Sequence, residues 1–147
     1  MLGGDGEISS VKKIVNEKNL KKYIKVLGWI DKDKKEKYLR ECSIFILPSY
    51  NEGMPMSIIE AMAYKNAVIS TNVGGIPQVI DNNKNGILIE PGDKKQLYNS
   101  IEKLIKDKKF KEKIGNAGYE KANSKFNIEN NINEIYSIYR ELMMIRD

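Results

Sequence analysis

Two carboxylates, Glu52 and Glu60, fall within Ile44-Phe45-Ile46-Leu47-Pro48-Ser49-Tyr50-Asn51-Glu52-Gly53-Met54-Pro55-Met56-Ser57-Ile58-Ile59-Glu60-Ala61-Met62-Ala63, the stretch of this sequence with the most chemical content. The pattern reads as a buried strand, a loop at its carboxyl end, and a helix whose N-terminus points back at that loop. In open α/β sheets the crevice outside the strand ends is where ligands bind, and the amides of a helix N-terminus favour an anion such as a phosphate. Glu60, about two turns into the helix, can accept hydrogen bonds from both hydroxyls of a diol such as ribose presents, while Glu52 in the loop can meet a second polar group. Two glutamates at this spacing occur often by chance, so the neighbours carry the inference. Ile58, Ile59, Ala61, Met62 and Ala63 are all apolar, and an acid among them is either partnered or faces a cleft.

The elements that must position these residues follow from hydrophobic periodicity. Short β-branched runs at 23–27, 43–47, 67–70 and 86–89 alternate with helical stretches at 11–19, 32–41 and 55–64, with Pro55 suited to a first helical turn. A short helix is expected around 76–80, and Asp93 with Gln96 forms a capping box for a helix to about 107. The last third is helical. Its final segment starts from Asn127 as N-cap and puts Ile128, Ile132, Ile135, Tyr139, Leu142 and Met143 on one stripe. This is the signature of an α/β fold, a Rossmann-like doubly wound parallel sheet. Met1-Leu2-Gly3-Gly4 reads as the tail of a strand entering a glycine turn, as if the sequence began inside a larger protein. Gly74-Gly75 is expected in a turn that needs positive φ or close packing, and Asn85-Gly86 in an ordinary turn.

With 147 residues, 41% hydrophobic and 31% charged, the chain has the balance of one globular domain able to bury a core without staples. One cysteine, Cys42, and no histidine exclude an intrachain disulfide, a Cys/His zinc site, a Ser-His-Asp triad and imidazole acid–base chemistry. Cys42 is expected as a small buried residue near a helix end. The net charge of +5 comes from lysines mixed with acids, as in Asp31-Lys32-Asp33-Lys34-Lys35-Glu36-Lys37, which reads as a solvated helix face and argues against a nucleic-acid partner. No apolar run approaches the ~18 residues of a membrane span, and the start has no leader-like pattern, so the expected location is cytoplasmic.

Taken in order, Pro48-Ser49, Glu52-Gly53, Glu60-Ala61-Met62-Ala63, Val73-Gly74-Gly75-Ile76-Pro77 and Asn85-Gly86-Ile87-Leu88-Ile89 resemble the nucleotide-binding domain of group-one, glycogen-synthase-like retaining glycosyltransferases of the GT-B fold. The resemblance runs from Gly3-Gly4-Asp5-Gly6 to the closing helix. It implies a C-terminal donor-binding domain over 1–147, truncated at its N-terminus, with the terminal helix at about 127–146 packing back on this domain or on the missing N-terminal domain. In the full-length parent it implies transfer of a sugar from a nucleotide diphosphate sugar, UDP- or GDP-linked, with retention of configuration and with no other cofactor and no metal. The acceptor would be a saccharide or lipid-linked glycan bound by the missing domain, in cell-surface polysaccharide or lipopolysaccharide synthesis, with the parent peripheral at the inner membrane face. The fragment alone would be inactive.

Residue by residue, the resemblance gives Glu60 the ribose and sets Glu52 against the donor sugar as the catalytic-site carboxylate. Gly53, Met54, Pro55, Met56 and Ser57 would approach the sugar hydroxyls and diphosphate, with Gly4, Gly74 and Gly75 also near the donor. Gly28 and Trp29 would line the base, although Trp29 fits a core place equally. The family's commonest form has Gly-Phe-Gly where this chain has Gly53-Met54-Pro55, and proline donates no backbone hydrogen bond, so one sugar contact would be absent or shifted. The family's basic diphosphate clamp would lie upstream of this sequence. Other readings are a GT-B sugar-nucleotide epimerase, which relies on histidine, and a non-catalytic nucleotide-binding or interaction module. A dehydrogenase is suggested by Gly4-Asp5-Gly6, but the third glycine and the strand-end acid are missing. The terminal stripe, if exposed, would support a weak homodimer.

Overall fold

The computed structural model describes residues 2–3 and 7–144. Gly4, with Asp5 and Gly6 of the expected glycine turn, lies outside them. The chain runs β1 (Leu2–Gly3), α1 (Ile8–Glu17), β2 (Val26–Gly28), α2 (Lys32–Glu41), β3 (Ile44–Leu47), α3 (Met56–Ala63), β4 (Ala67–Thr71), α4 (Ile76–Val79), β5 (Ile87–Ile89), α5 (Lys94–Lys106), α6 (Lys108–Lys125) and α7 (Ile128–Met144). The described strands pair in parallel, β1 with β2 in one sheet and β3-β4-β5 in another. This is the expected α/β class. The chain divides into two compact units, Met1–Arg40 and Glu41–Asp147.

In the first unit Leu2 lies opposite Val26 and Gly3 opposite Gly28, so Leu2–Gly3 pairs as a parallel strand. α1 starts before the expected residue 11 because the Glu7 carbonyl already accepts the Val11 N–H. The strand expected at 23–27 begins only at Val26. The carbonyl of Leu20 takes the N–H groups of both Tyr23 and Ile24, closing a turn that leaves Tyr23 exposed. Charges near α2 pair locally, Lys34 with Asp31 at 3.0 Å and Arg40 with Glu36 at 2.6 Å. Hydrogen bonds from the Lys34 backbone and ammonium hold the Asp31 carboxyl below its ordinary value.

The second unit is built around β4. All of Ala67, Val68, Ile69, Ser70 and Thr71 are buried, and since successive strand residues face opposite ways, both faces of this central strand are covered. Ala67, Ile69, Ile87, Ile89, Leu104 and Ile114 form one core cluster, with Leu97, Ile101 and Phe110 packed against it from α5 and α6. At the open edge of the sheet, β5 presents the N–H groups of Leu88 and Glu90, and each donates to a side-chain amide oxygen, Asn82 Oδ1 at 3.0 Å and Gln96 Oε1 at 3.1 Å. Gln96 is therefore only half of the expected capping box. Its own N–H donates to Asp93 Oδ1 at 2.8 Å, while its side chain goes to the strand instead of returning to Asp93.

Asp107 closes α5 and opens α6, its carboxylate accepting the Phe110 N–H at 2.9 Å. α6 carries Gly115, Gly118 and Ala122, all buried. A Cβ on Gly115 would lie 2.4 Å from the Lys65 carbonyl oxygen, and one on Gly118 would lie 3.2 Å from Met62 Cγ. These glycines let α6 press against α3 and the turn that follows it. Asn85 is more than the expected turn residue: it is buried, accepts the Asp81 N–H and donates to the Val79 carbonyl, bracketing the loop before β5. Cys42 is half-buried and donates to Asn66 Oδ1 at 3.1 Å, and burial pushes its thiol pKa up. α7 starts where expected, with Asn127 Oδ1 accepting the Glu129 N–H, and its apolar stripe is exposed.

Candidate functional site

The β3 strand ends at Leu47, and the loop that follows is pinned to its neighbour strand by hydroxyls at the end of β4. Ser70 Oγ donates to the Leu47 carbonyl at 2.7 Å and Thr71 Oγ1 to the Ser49 carbonyl at 2.6 Å. Ser49 in turn donates from Oγ to Glu52 Oε1 at 2.7 Å, so the loop carboxylate is held by a side chain of the same loop. A charge-assisted bond of this length fixes the carboxylate plane and leaves its remaining lone pairs for another donor.

The turn after β4 closes the loop from the other side. The Gly75 N–H donates to the Gly53 carbonyl at 2.8 Å. Gly74 has φ +53°, and a Cβ there would stand 1.7 Å from the Glu52 carbonyl oxygen; one on Gly75 would stand 2.4 Å from that of Gly53. Both expected reasons for this glycine pair, positive φ and close packing, hold at once, and what approaches it is the backbone of Glu52-Gly53. Gly53 itself is exposed, with nothing within 4 Å of where its Cβ would be.

α3 begins on this loop. Pro55 is its N-cap rather than part of the first turn, in an extended conformation at φ −74° and ψ 105°, and it supplies no side-chain cap. Proline lacks the polar side chain that normally satisfies first-turn amides, so the start of α3 at Met56 and Ser57 is left to solvent or to a ligand. Met54 and Met56 are exposed beside it. Further along, Ile58, Ile59, Ala61 and Met62 are buried while Glu60 is half-buried, with its Oε2 closed off from solvent. The helix thus packs Ile58, Ile59, Ala61 and Met62, leaves Met56 and Ala63 exposed, and keeps one acid at the margin of the core.

Glu52, Gly53, Met54, Pro55, Met56, Ser57, Glu60, Gly74 and Gly75 all belong to the second unit, on the carboxyl ends of β3 and β4 and the helix between them. Gly28 and Trp29 belong to the first. Gly28 is buried at φ +69°, and Trp29 is 74% exposed, which overturns the core reading of that residue. The residues that the sequence reading missed are Ser70 and Thr71, whose hydroxyls set the loop; the only signal was the change from apolar to hydroxyl at the end of an apolar run. A hollow of about 380 Å³ between α3, α6 and the start of α7 is lined by Ile59, Ala63, Tyr119 and Phe126 among others, but by neither glutamate. Among the described residues no group of three or more Asp, Glu, Cys or His side chains is placed to hold a metal ion.

Comparison with known proteins gives this geometry a family. Residues 1–121 match the family model of glycosyl transferases group 1. The chain is 33% identical over 141 residues to an uncharacterized glycosyltransferase of Methanocaldococcus jannaschii, covering 95% of this chain and 39% of that protein. It is 30% identical over 143 residues to the UDP-Gal:alpha-D-GlcNAc-diphosphoundecaprenol alpha-1,3-galactosyltransferase of Escherichia coli, covering 96% of this chain and 36% of that one. Its fold superposes on sucrose-phosphate synthase from Thermosynechococcus elongatus with TM-score 0.81 and 28% identity, over 93% of this chain and 34% of the synthase. The chain therefore spans little more than a third of the length of these relatives. The ordered motifs, the parallel α/β architecture and the match over most of the sequence agree: this chain belongs to the group 1 glycosyl transferases, and its fold is one Rossmann-like portion of the GT-B architecture.

Proposed function

We propose that this chain is the donor-binding part of a retaining glycosyltransferase, acting within a longer protein that moves a sugar from a nucleotide diphosphate sugar to an acceptor saccharide or lipid-linked glycan. The observation that carries the reading is the pinned loop: Ser49 holds Glu52, Gly74-Gly75 buttress its backbone, and the N-terminus of α3 is left without a side-chain cap beside it. A rigid loop carboxylate next to helix amides suits a ligand with hydroxyls at one end and a diphosphate at the other. In this reading Glu60 accepts from the ribose hydroxyls, Glu52 faces the donor sugar, and the backbone from Gly53 to Ser57 meets the sugar and phosphates, with Pro55 contributing no N–H.

The E. coli relative is named for UDP-Gal and for an acceptor on diphosphoundecaprenol, which supports a UDP-linked donor ahead of a GDP-linked one and a lipid-linked acceptor. No described helix is long and apolar enough to cross a membrane. Departing diphosphate charge would be stabilised by backbone dipoles and basic groups, some supplied from outside this chain. Alone, the chain would bind donor without turnover. The test is Glu60→Gln, which removes a charged acceptor and should weaken nucleotide binding by about 1.5–3 kcal/mol, measured by calorimetry. Unchanged affinity would refute the ribose assignment.

A further inference from the structure

The charge of this protein is divided unequally. Residues 1–40 hold eleven Lys and Arg against six Asp and Glu, and residues 41–147 hold fourteen of each, so the entire net charge of +5 lies in the first unit. Within that unit it is concentrated again. From the second turn of α1 to the start of β2 stand Lys12, Lys13, Lys18, Lys21, Lys22 and Lys25, with Glu17 as the lone acid. All of these lysines are exposed, and between them Tyr23 is 77% and Ile14 50% exposed. The mixed-sign pattern of Asp31–Lys37 does not extend to this segment, whose sole acid, Glu17, pairs with Lys13 at 3.9 Å. A cation beyond the end of α1 gains from the helix dipole, but that accounts for Lys18 and not for Lys12 or Lys25.

We propose that this lysine-rich segment seats the protein on an anionic lipid surface, with Tyr23 entering the headgroup layer. Lysine ammonium groups gain from a negative surface potential without specific geometry, and a tyrosine placed among them presents an apolar ring and a polar tip to the interface. The segment contains no arginine, the residue whose planar fork favours bidentate phosphate contacts and stacking on bases, so a lipid surface is preferred to a nucleic acid. The inference is independent of the glycosyl-transfer reading, since it rests on the first unit alone.

The test is co-sedimentation of the whole chain with vesicles of phosphatidylcholine alone or mixed in equal parts with phosphatidylglycerol. Binding is expected on the mixed vesicles only, falling as salt is raised, with inorganic phosphate competing no better than chloride at the same ionic strength. The combined variant Lys18→Glu, Lys21→Glu, Lys22→Glu should weaken it by roughly tenfold or more. Tyr23→Ser should weaken it by a smaller factor at unchanged charge. Reversing Lys94, Lys108 and Lys109 in the second unit changes net charge equally and should leave binding in place. Equal losses in both triple variants, retention of full binding by Tyr23→Ser, or preference for polyuridylate over the mixed vesicles would each overturn the proposal. Far-UV circular dichroism establishes that each variant is folded.

Discussion

At the residue scale the positions of the loop after β3 differ sharply in which of them are replaceable. Gly74 and Gly53 are neighbours in space and opposites in constraint: at Gly74 both the positive φ and the Glu52 carbonyl exclude a side chain, whereas Gly53 looks into open space. Gly74→Ala should therefore cost at least about 2 kcal/mol of stability in urea titration, and Gly53→Ala less than about 0.5 kcal/mol. Equal effects would mean that the loop is not buttressed as described. The half-buried place of Glu60 was legible in the sequence, because an acid inside an apolar helix leaves few alternatives. Thr71 was not, since a hydroxyl at a strand end carries no mark of the carbonyl it will meet across the sheet. The bond from Ser49 to Glu52 lay within four residues of sequence, yet nothing distinguished it from a solvent-facing serine.

At the scale of elements, β3, the helix after it and β4 could be placed closely because their residues alternate between continuous apolar runs and Pro/Gly punctuation. β2 was displaced: residues 23–27 look like a strand, but a turn at Leu20 claims their first amides. α6 was merged into a general helical region, although Asp107 carries the signal of a second N-cap. Its glycines, Gly115 and Gly118, drew no reading from the sequence. Glycine in a helix suggests weakness, and here it marks contact. This gives a prediction in which two effects oppose: alanine at Gly115 gains up to about 1 kcal/mol of helix propensity, but its Cβ would meet the Lys65 carbonyl oxygen at 2.4 Å. Gly115→Ala should lower the melting temperature. A rise would show that α6 and the turn before β4 are less tightly packed than described. The β5 edge shows the same economy, with Asn82 and Gln96 ending the ladder by occupying its outward amides, a local block to strand addition.

At the scale of the whole molecule, composition excluded imidazole chemistry and an intrachain disulfide, while averaging hid the distribution of charge. A net +5 of mixed appearance is a neutral second unit joined to a basic first one, and only counting by unit reveals it. The exposed stripe of α7, with Ile128 at 72% and Met143 at 65%, supports weak self-association of the chain on its own. Sedimentation velocity should show dimer appearing at high concentration and vanishing in Ile132→Glu, Tyr139→Glu; a monomer at all concentrations would remove that reading. The central claim is that the loop after β3 and the first turns of α3 form a nucleotide-sugar site. It is tested most directly by amide NMR spectra of the chain titrated with UDP, GDP and ADP. Saturable shifts are expected for one nucleotide, UDP first, concentrated in residues 53–61 and at Gly74 and Gly75. Well-dispersed spectra in which that segment stays unmoved by all three nucleotides would contradict it.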